Sequence, residues 1–333
     1  MAASREDWLG LTQEAPIDPD LPIIDPHHHL WDHPGGRYLL DELLADTAGH
    51  NVVKTVFVEC LSMYDHDAPT EMQPVGETDF VRGLSDMSRS RGEGAMEVAA
   101  GIVGFADLLL ADAAAPVLEA HMAAGGGRFK GIRHASSWDP SKEIRNAHTR
   151  PPEGLLLDAG FRKGFSLLNK YNLSFDTWLY HPQLAELADL AQAFSGTPII
   201  LDHMGGVLGI GPYAGNRDEV YASWQKGIDA VAACDNVAIK LGGLCMSSCG
   251  FGWHQQEKPP TSEALAEAMK PYVHHCIERF GIKRCMFESN FPVDKVSCSY
   301  TVLWNAFKRL TADFPPDERA ALFHDTAASV YRL

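Results

Sequence analysis

Eight short apolar runs, near residues 21–26, 52–59, 98–105, 129–134, 173–180, 197–203, 236–241 and 284–289, alternate with amphipathic stretches, and this rhythm constrains the fold more than anything else in the chain. Strand-length runs separated by helix-length segments predict parallel pairing through helical crossovers. Between Arg217 and Cys234, for instance, Val220, Tyr221, Trp224, Ile228 and Val231 recur at three- and four-residue spacing, the period of a helix with one buried face. Thr261 or Ser262 caps a second such helix, directly after Pro259 and Pro260. Eight strand–helix units in 333 residues predict an α/β protein of the (β/α)8 TIM-barrel class. An open doubly wound sheet is the rival, but no GxGxxG turn follows the first run, so dinucleotide binding loses its main support. No repeat or linker divides the chain. Residues 1–20 are expected to form an N-terminal extension and 21–333 one barrel domain.

The net charge of -16, from 28 basic and 44 acidic residues, argues against a non-specific nucleic-acid binder. It leaves room for an anionic substrate held by local arginines. Seven cysteines form no CxxC pair, and an odd count fits reduced thiols and a cytoplasmic location. No run approaches the roughly 18 apolar residues of a membrane helix, and the first residues lack the apolar region of a signal peptide. The expected partner is a small-molecule substrate, with no nucleic acid and no membrane. A homodimer is expected from base rates alone.

In a parallel barrel the C-terminal ends of all strands meet at one mouth, where active sites are built. The apolar runs here stop at ionisable groups. The first ends in Asp25-Pro-His-His-His29, which places His27 and His29 on one face as two convergent imidazoles suited to a transition metal, zinc first. A merely polar strand end is the alternative for an isolated triplet. The other runs end at Glu59, at Arg133 and His134, at Asp176 followed by Tyr180 and His181, at Asp202 and His203, at Lys240, and at Glu288 and Asn290. Such a gathering predicts an active site. Two long loops, 135–152 and 242–260, follow strands four and seven and are expected to be functional. The second carries Trp253 and His254, expected to line the pocket, whereas Trp138 and Trp178 are assigned to packing.

Asp25-Pro-His-His-His-Leu-Trp31, Gly131-Ile-Arg-His134, Leu201-Asp-His-Met-Gly-Gly206, Lys240-Leu-Gly-Gly-Leu244 and Arg284-Cys-Met-Phe-Glu-Ser-Asn-Phe-Pro-Val293 together resemble the amidohydrolase superfamily. More narrowly, they resemble its amidohydrolase-2 branch of TIM-barrel hydrolases, which includes sugar lactonases, pyrone dicarboxylate lactonases and, more distantly, non-oxidative decarboxylases. The resemblance spans about residues 20 to 333 and implies a hydrolase site holding one divalent metal, zinc first, or none. It assigns His27 and His29 to the first-strand metal pair and His203 to the sixth-strand ligand. His181 is the candidate for a remaining ligand or a substrate contact, or else heads a helix before Pro182. His28 is expected to point away from the mouth, and His134 to satisfy a backbone carbonyl.

One position departs from the family pattern. The eighth-strand aspartate, usually ligand and general base together, is Asn290 here. An amide cannot take a proton from water, although its carbonyl can orient one. The base is then sought among Glu59, Glu288, Asp294 and Asp202, each of which reads more often as a structural group than as the base; Glu59 would pair with Arg133 or Lys240. Arg133 suits a substrate carboxylate and Lys240 a polarised carbonyl or leaving oxygen. Tyr180, His181, Trp253 and His254 complete the expected substrate contacts. The reaction expected is opening of a lactone or related cyclic ester of an acidic or hydroxylated substrate. Decarboxylation or hydration of an aromatic or unsaturated acid is the second reading, and a non-catalytic binding barrel the third.

Overall fold

A computed structural model describes residues 5–33 and 36–333. All eight apolar runs form strands: β1 (Ile23–His28), β2 (Val52–Val58), β3 (Glu97–Gly104), β4 (Phe129–Arg133), β5 (Ser174–Thr177), β6 (Ile199–Leu201), β7 (Val237–Leu241) and β8 (Cys285–Phe287). They pair in chain order, each parallel to the next. Just beyond the end of β8 the sheet nearly closes on itself. Asn290 N–H donates to the His27 carbonyl at 2.9 Å, and His29 N–H donates to the Phe291 carbonyl at 2.8 Å. The fold is a single (β/α)8 barrel, with helices covering the outer strand face.

Alternation along the strands sorts the core into two layers. Ile24, Val56, Val58, Val103, Ile200, Ala238 and Met286 form one cluster inside the barrel, while neighbours such as Phe57, Ile102, Ile239 and Phe287 face the helices. The helix Thr326–Tyr331 closes the bottom by sending Tyr331 into that inner cluster. The period of two also explains the mouth. Asp202, Lys240 and Glu288 each lie two residues beyond an inward-facing residue, Ile200, Ala238 and Met286 respectively, so the same face that is apolar below becomes charged above.

The two helices read from periodicity are present, Arg217–Ala232 and Ser262–Phe280, the latter with Thr261 Oγ1 accepting from Ala264 N–H at 3.3 Å. A short antiparallel hairpin after β1, Trp31–His33 paired with Gly36–Tyr38, has no counterpart in the sequence reading, because strands of three residues carry no measurable period. Within the N-terminal extension, the described residues lie against the barrel. Trp8 Nε1 donates to the Gln256 carbonyl at 3.0 Å, and Glu14 accepts from Ser262 N–H at 2.7 Å and from Asn305 at 3.0 Å. No helix among the described residues is long and apolar enough to cross a membrane.

Candidate active site

The floor of the mouth is a sealed charge cluster. His27, Asp176, Asp202, Lys240 and Glu288 are all 0% exposed. Lys240 Nζ lies 2.6 Å from Asp176 and 2.9 Å from Asp202. Burial alone would lower its pKa, but Asp176, Asp202 and Glu288 outweigh burial and raise it, so the cation persists. Glu288 spans two imidazoles, with Oε2 at 2.9 Å from His27 Nδ1 and Oε1 at 2.7 Å from His203 Nδ1. Against the effect of burial, these histidines hold its pKa down at about 2. His29 Nδ1 faces the Val58 carbonyl at 2.8 Å. The acceptors beside Nδ1 of His29 and His203 favour a proton on that atom and a lone pair on Nε2, whereas His27 Nδ1 lies between Glu288 and the Lys240 ammonium at 3.1 Å. Burial, and then Lys240, pushes the His27 pKa well down, which keeps that ring neutral.

Local backbone makes this packing possible. His203 and Asn290 both adopt the left-handed region, at φ 55°, which is uncommon for residues with side chains and costs energy. His203 is held there by its N–H, which donates to Glu288 at 3.0 Å. Gly243, at φ 73°, passes so close that a Cβ would meet that of His203 at 2.4 Å, which accounts for a glycine in Lys240-Leu-Gly-Gly-Leu244.

The wall of the mouth is built differently. Arg133 Nε donates to Glu59 Oε1 at 2.8 Å and its Nη2 to the Glu59 carbonyl at 2.6 Å, while Nη1 lies 3.3 Å from His27 Nε2. The other Glu59 oxygen faces His148 Nε2 at 3.0 Å. Burial would raise the Glu59 carboxyl, but Arg133 and His148 hold it at about 2. Above this wall opens a cavity of about 860 Å³, lined among others by His29, Arg133, His148, Trp178, Tyr180 and Arg145.

The chain matches the family described as Amidohydrolase over residues 24–333. It belongs to that amidohydrolase family. A protein of Sinorhizobium fredii, the uncharacterized y4mH, is 35% identical across 94% of this chain and 99% of its own length. An L-fucono-1,5-lactonase of Burkholderia ambifaria is 24% identical across 93% of this chain and 95% of its own. Among solved structures, an amidohydrolase of Burkholderia multivorans with bound zinc shares the fold with a TM-score of 0.71 at 22% identity, covering 93% of this chain and 99% of that one.

Of the residues expected at this amidohydrolase mouth, only some meet there. Tyr180 lines the cavity, but its hydroxyl is spent on the Arg145 carbonyl at 2.5 Å. His181 is buried outside the lining, accepting from Leu208 N–H at 3.3 Å and heading the turn His181–Gln183. Trp253 is buried and stacks on Phe251 at 4.4 Å, and neither it nor His254 lines the cavity, to which the loop 242–260 offers Met246, Ser247 and Ser248 instead. Asp294 is buried with both oxygens engaged, accepting from Asn290 Nδ2 at 2.9 Å and Cys245 N–H at 3.2 Å, and burial pushes it up to about 7. Trp178, assigned to packing, lines the cavity with its ring edge-on to His203 at 4.9 Å. His28 turns away to Thr55 at 2.8 Å. His134 accepts from Leu108 N–H at 3.3 Å instead of donating to a carbonyl. His148 and Arg145 were missed, although both lie in the long loop 135–152 already marked as functional.

The residues present fit a divalent metal. His27, His203 and Glu288 each offer a ligand atom, all within 4.8 Å of one another, a nitrogen and carboxylate set that zinc accepts. His29 falls outside that cluster of described residues. Among the described residues, Glu59, Asp176, Asp202 and Glu288 face two permanent cations, Arg133 and Lys240. Both Asp202 oxygens, Asp176 Oδ1 and Glu288 Oε2 are buried without a hydrogen bond. Such orphaned acceptors in excess negative charge are what a bound dication would satisfy.

Proposed function

We propose that this amidohydrolase opens the ring of a lactone or related cyclic ester by attack of water on the carbonyl. The observation that carries the reading is that Arg133 and His29 both line a cavity large enough for a small cyclic substrate. Arg133, clamped by Glu59, keeps a fixed cationic edge toward the space where a carbonyl oxygen gains charge. The His29 Nε2 lone pair accepts a hydrogen bond from water and orients it. A metal held by His27, His203 and Glu288 would supply Lewis acidity and lower the pKa of bound water. Asn290, its amide turned by Asp294, serves to orient and not to take protons. Arg145 is exposed at the rim and forms no salt bridge among the described residues, which favours an acidic substrate despite the negative chain. The 24% identical lactonase supports the same reaction class.

The test is a panel of sugar and aromatic-derived lactones offered to metal-replete protein, with ring opening read as acid release. At least one class is expected to turn over, and Arg133→Met is expected to lose roughly 10²-fold or more in kcat. Release of carbon dioxide from hydroxybenzoates with no lactone opened would replace this reading by decarboxylation.

A further inference from the structure

We propose that His148, oriented by Glu59, is the general base that takes the proton from the attacking water; the assignment rests on the ring-opening reaction proposed above. The strand-end carboxylates are missing from the cavity lining, and Glu143, the carboxylate among the described lining residues, stands exposed at the rim with no partner to orient it among the described residues. Glu59 is spent on Arg133 and His148, and Asp294 on Asn290 and Cys245, while Glu288 and Asp176 each keep one oxygen without a hydrogen bond but are sealed in the floor at 0% exposure. Asp202 is 0% exposed. Asn290 stands where an acid would otherwise accept the proton. Among the imidazoles lining the cavity, burial and then the Arg133 guanidinium disfavour a positive charge on His29, and no carboxylate among the described residues hydrogen-bonds to His33.

His148 meets each requirement of a positioned base. Its side chain is 22% exposed and lines the cavity. Its Nε2–H donates to Glu59 at 3.0 Å, which leaves Nδ1 as the lone pair, and among the described residues nothing hydrogen-bonds to that atom. Glu59 then stabilises the imidazolium as it forms. The loop is pinned on either side of the ring. Ala147 N–H donates to the Ser137 carbonyl at 2.9 Å, and Thr149 Oγ1 donates to the Ala135 carbonyl at 2.5 Å. One carboxylate therefore sets the spacing between the polarising cation, Arg133, and the base, His148. As the water oxygen bonds to the carbonyl carbon, its proton passes to His148 Nδ1. When the tetrahedral intermediate collapses, the bond to the ring oxygen breaks and that oxygen takes the proton back. The product is the hydroxy acid, heavier by one water, and the imidazole is neutral again.

The experiment compares wild type, His148→Ala, Glu59→Gln and the double variant on the lactone the wild type opens best, with and without added imidazole. His148→Ala is expected to lose about 10² to 10⁴ in kcat with little change in KM. Imidazole is expected to recover at least about tenfold of that loss, which a merely structural role would not allow. Glu59→Gln, a positioning change, is expected to lose less, to resist rescue, and to add nothing in the double variant. A His148→Ala enzyme within threefold of wild type, or one inactive with no rescue while its circular dichroism stays native, overturns the assignment and leaves the reaction standing. A wild type that opens no lactone overturns both.

Discussion

The floor and the wall of this mouth hold similar groups and use them in opposite ways. On the floor, His27, His203, Lys240 and Glu288 stand on the ends of β1, β6, β7 and β8, each 3% exposed or less, with their polar atoms turned on one another. On the wall, Arg133 and Glu59 are equally buried, but their chain of contacts ends at His148, which opens on the cavity. Charge sealed in the floor shapes the field and can hold a cation. Charge passed along the wall ends at a group that lines the cavity. The physical difference is the last link: a strand residue cannot leave its pleat, whereas a loop residue can stand where a substrate would touch it.

That contrast breaks first at Lys240. Lys240→Met would leave Asp176 and Asp202 without their buried counter-charge, and a loss of roughly 3–5 kcal/mol in urea unfolding is expected. If the variant unfolds at wild-type urea concentration, the floor is not an electrostatic unit.

A smaller effect is expected from Glu77, which backs the wall. Its carboxylate accepts from Cys60 N–H at 3.0 Å and Ser62 N–H at 2.7 Å, and burial, followed by repulsion from Glu59, pushes its pKa from 4.5 up to about 8. The folded state therefore binds this proton more tightly than the unfolded chain. The stabilisation is complete below pH 4.5 and is lost as pH rises toward 8. Glu77→Gln should flatten the fall in stability between pH 5 and 8, gaining on the order of 1–3 kcal/mol over wild type at the upper end. Parallel melting curves for the two proteins across that range would show that the wall carries no such strain.

Least of all should change at His254, which lies off the cavity. His254→Ala is expected to stay within about 0.5 kcal/mol of wild type and to leave the kinetics unaltered. A drop in kcat/KM would return the loop 242–260 to the list of substrate contacts.

The same distinction explains what could be read in advance. Period-two alternation is local, so Asp202, Lys240 and Glu288 are legible as inward residues wherever the apolar runs form strands. Pairings that join distant residues are legible only as alternatives. The sequence offers Glu59 both Arg133 and Lys240, and the structure selects Arg133, 74 positions away; His148, 89 positions away, is connected to Glu59 by no spacing rule. A long loop announces itself by its length, but which of its side chains turn inward depends on what it packs against. That is why loop 135–152 delivers His148 and loop 242–260 buries Trp253 on Phe251 instead.

By itself, then, the sequence determined the barrel and the ring of ionisable strand ends, because strand length, alternation and crossover spacing are properties of neighbouring residues. Only the tertiary structure decided which of those groups neutralise one another and which face the cavity. Burial and Coulomb interactions act between atoms close in space, whatever their separation along the chain.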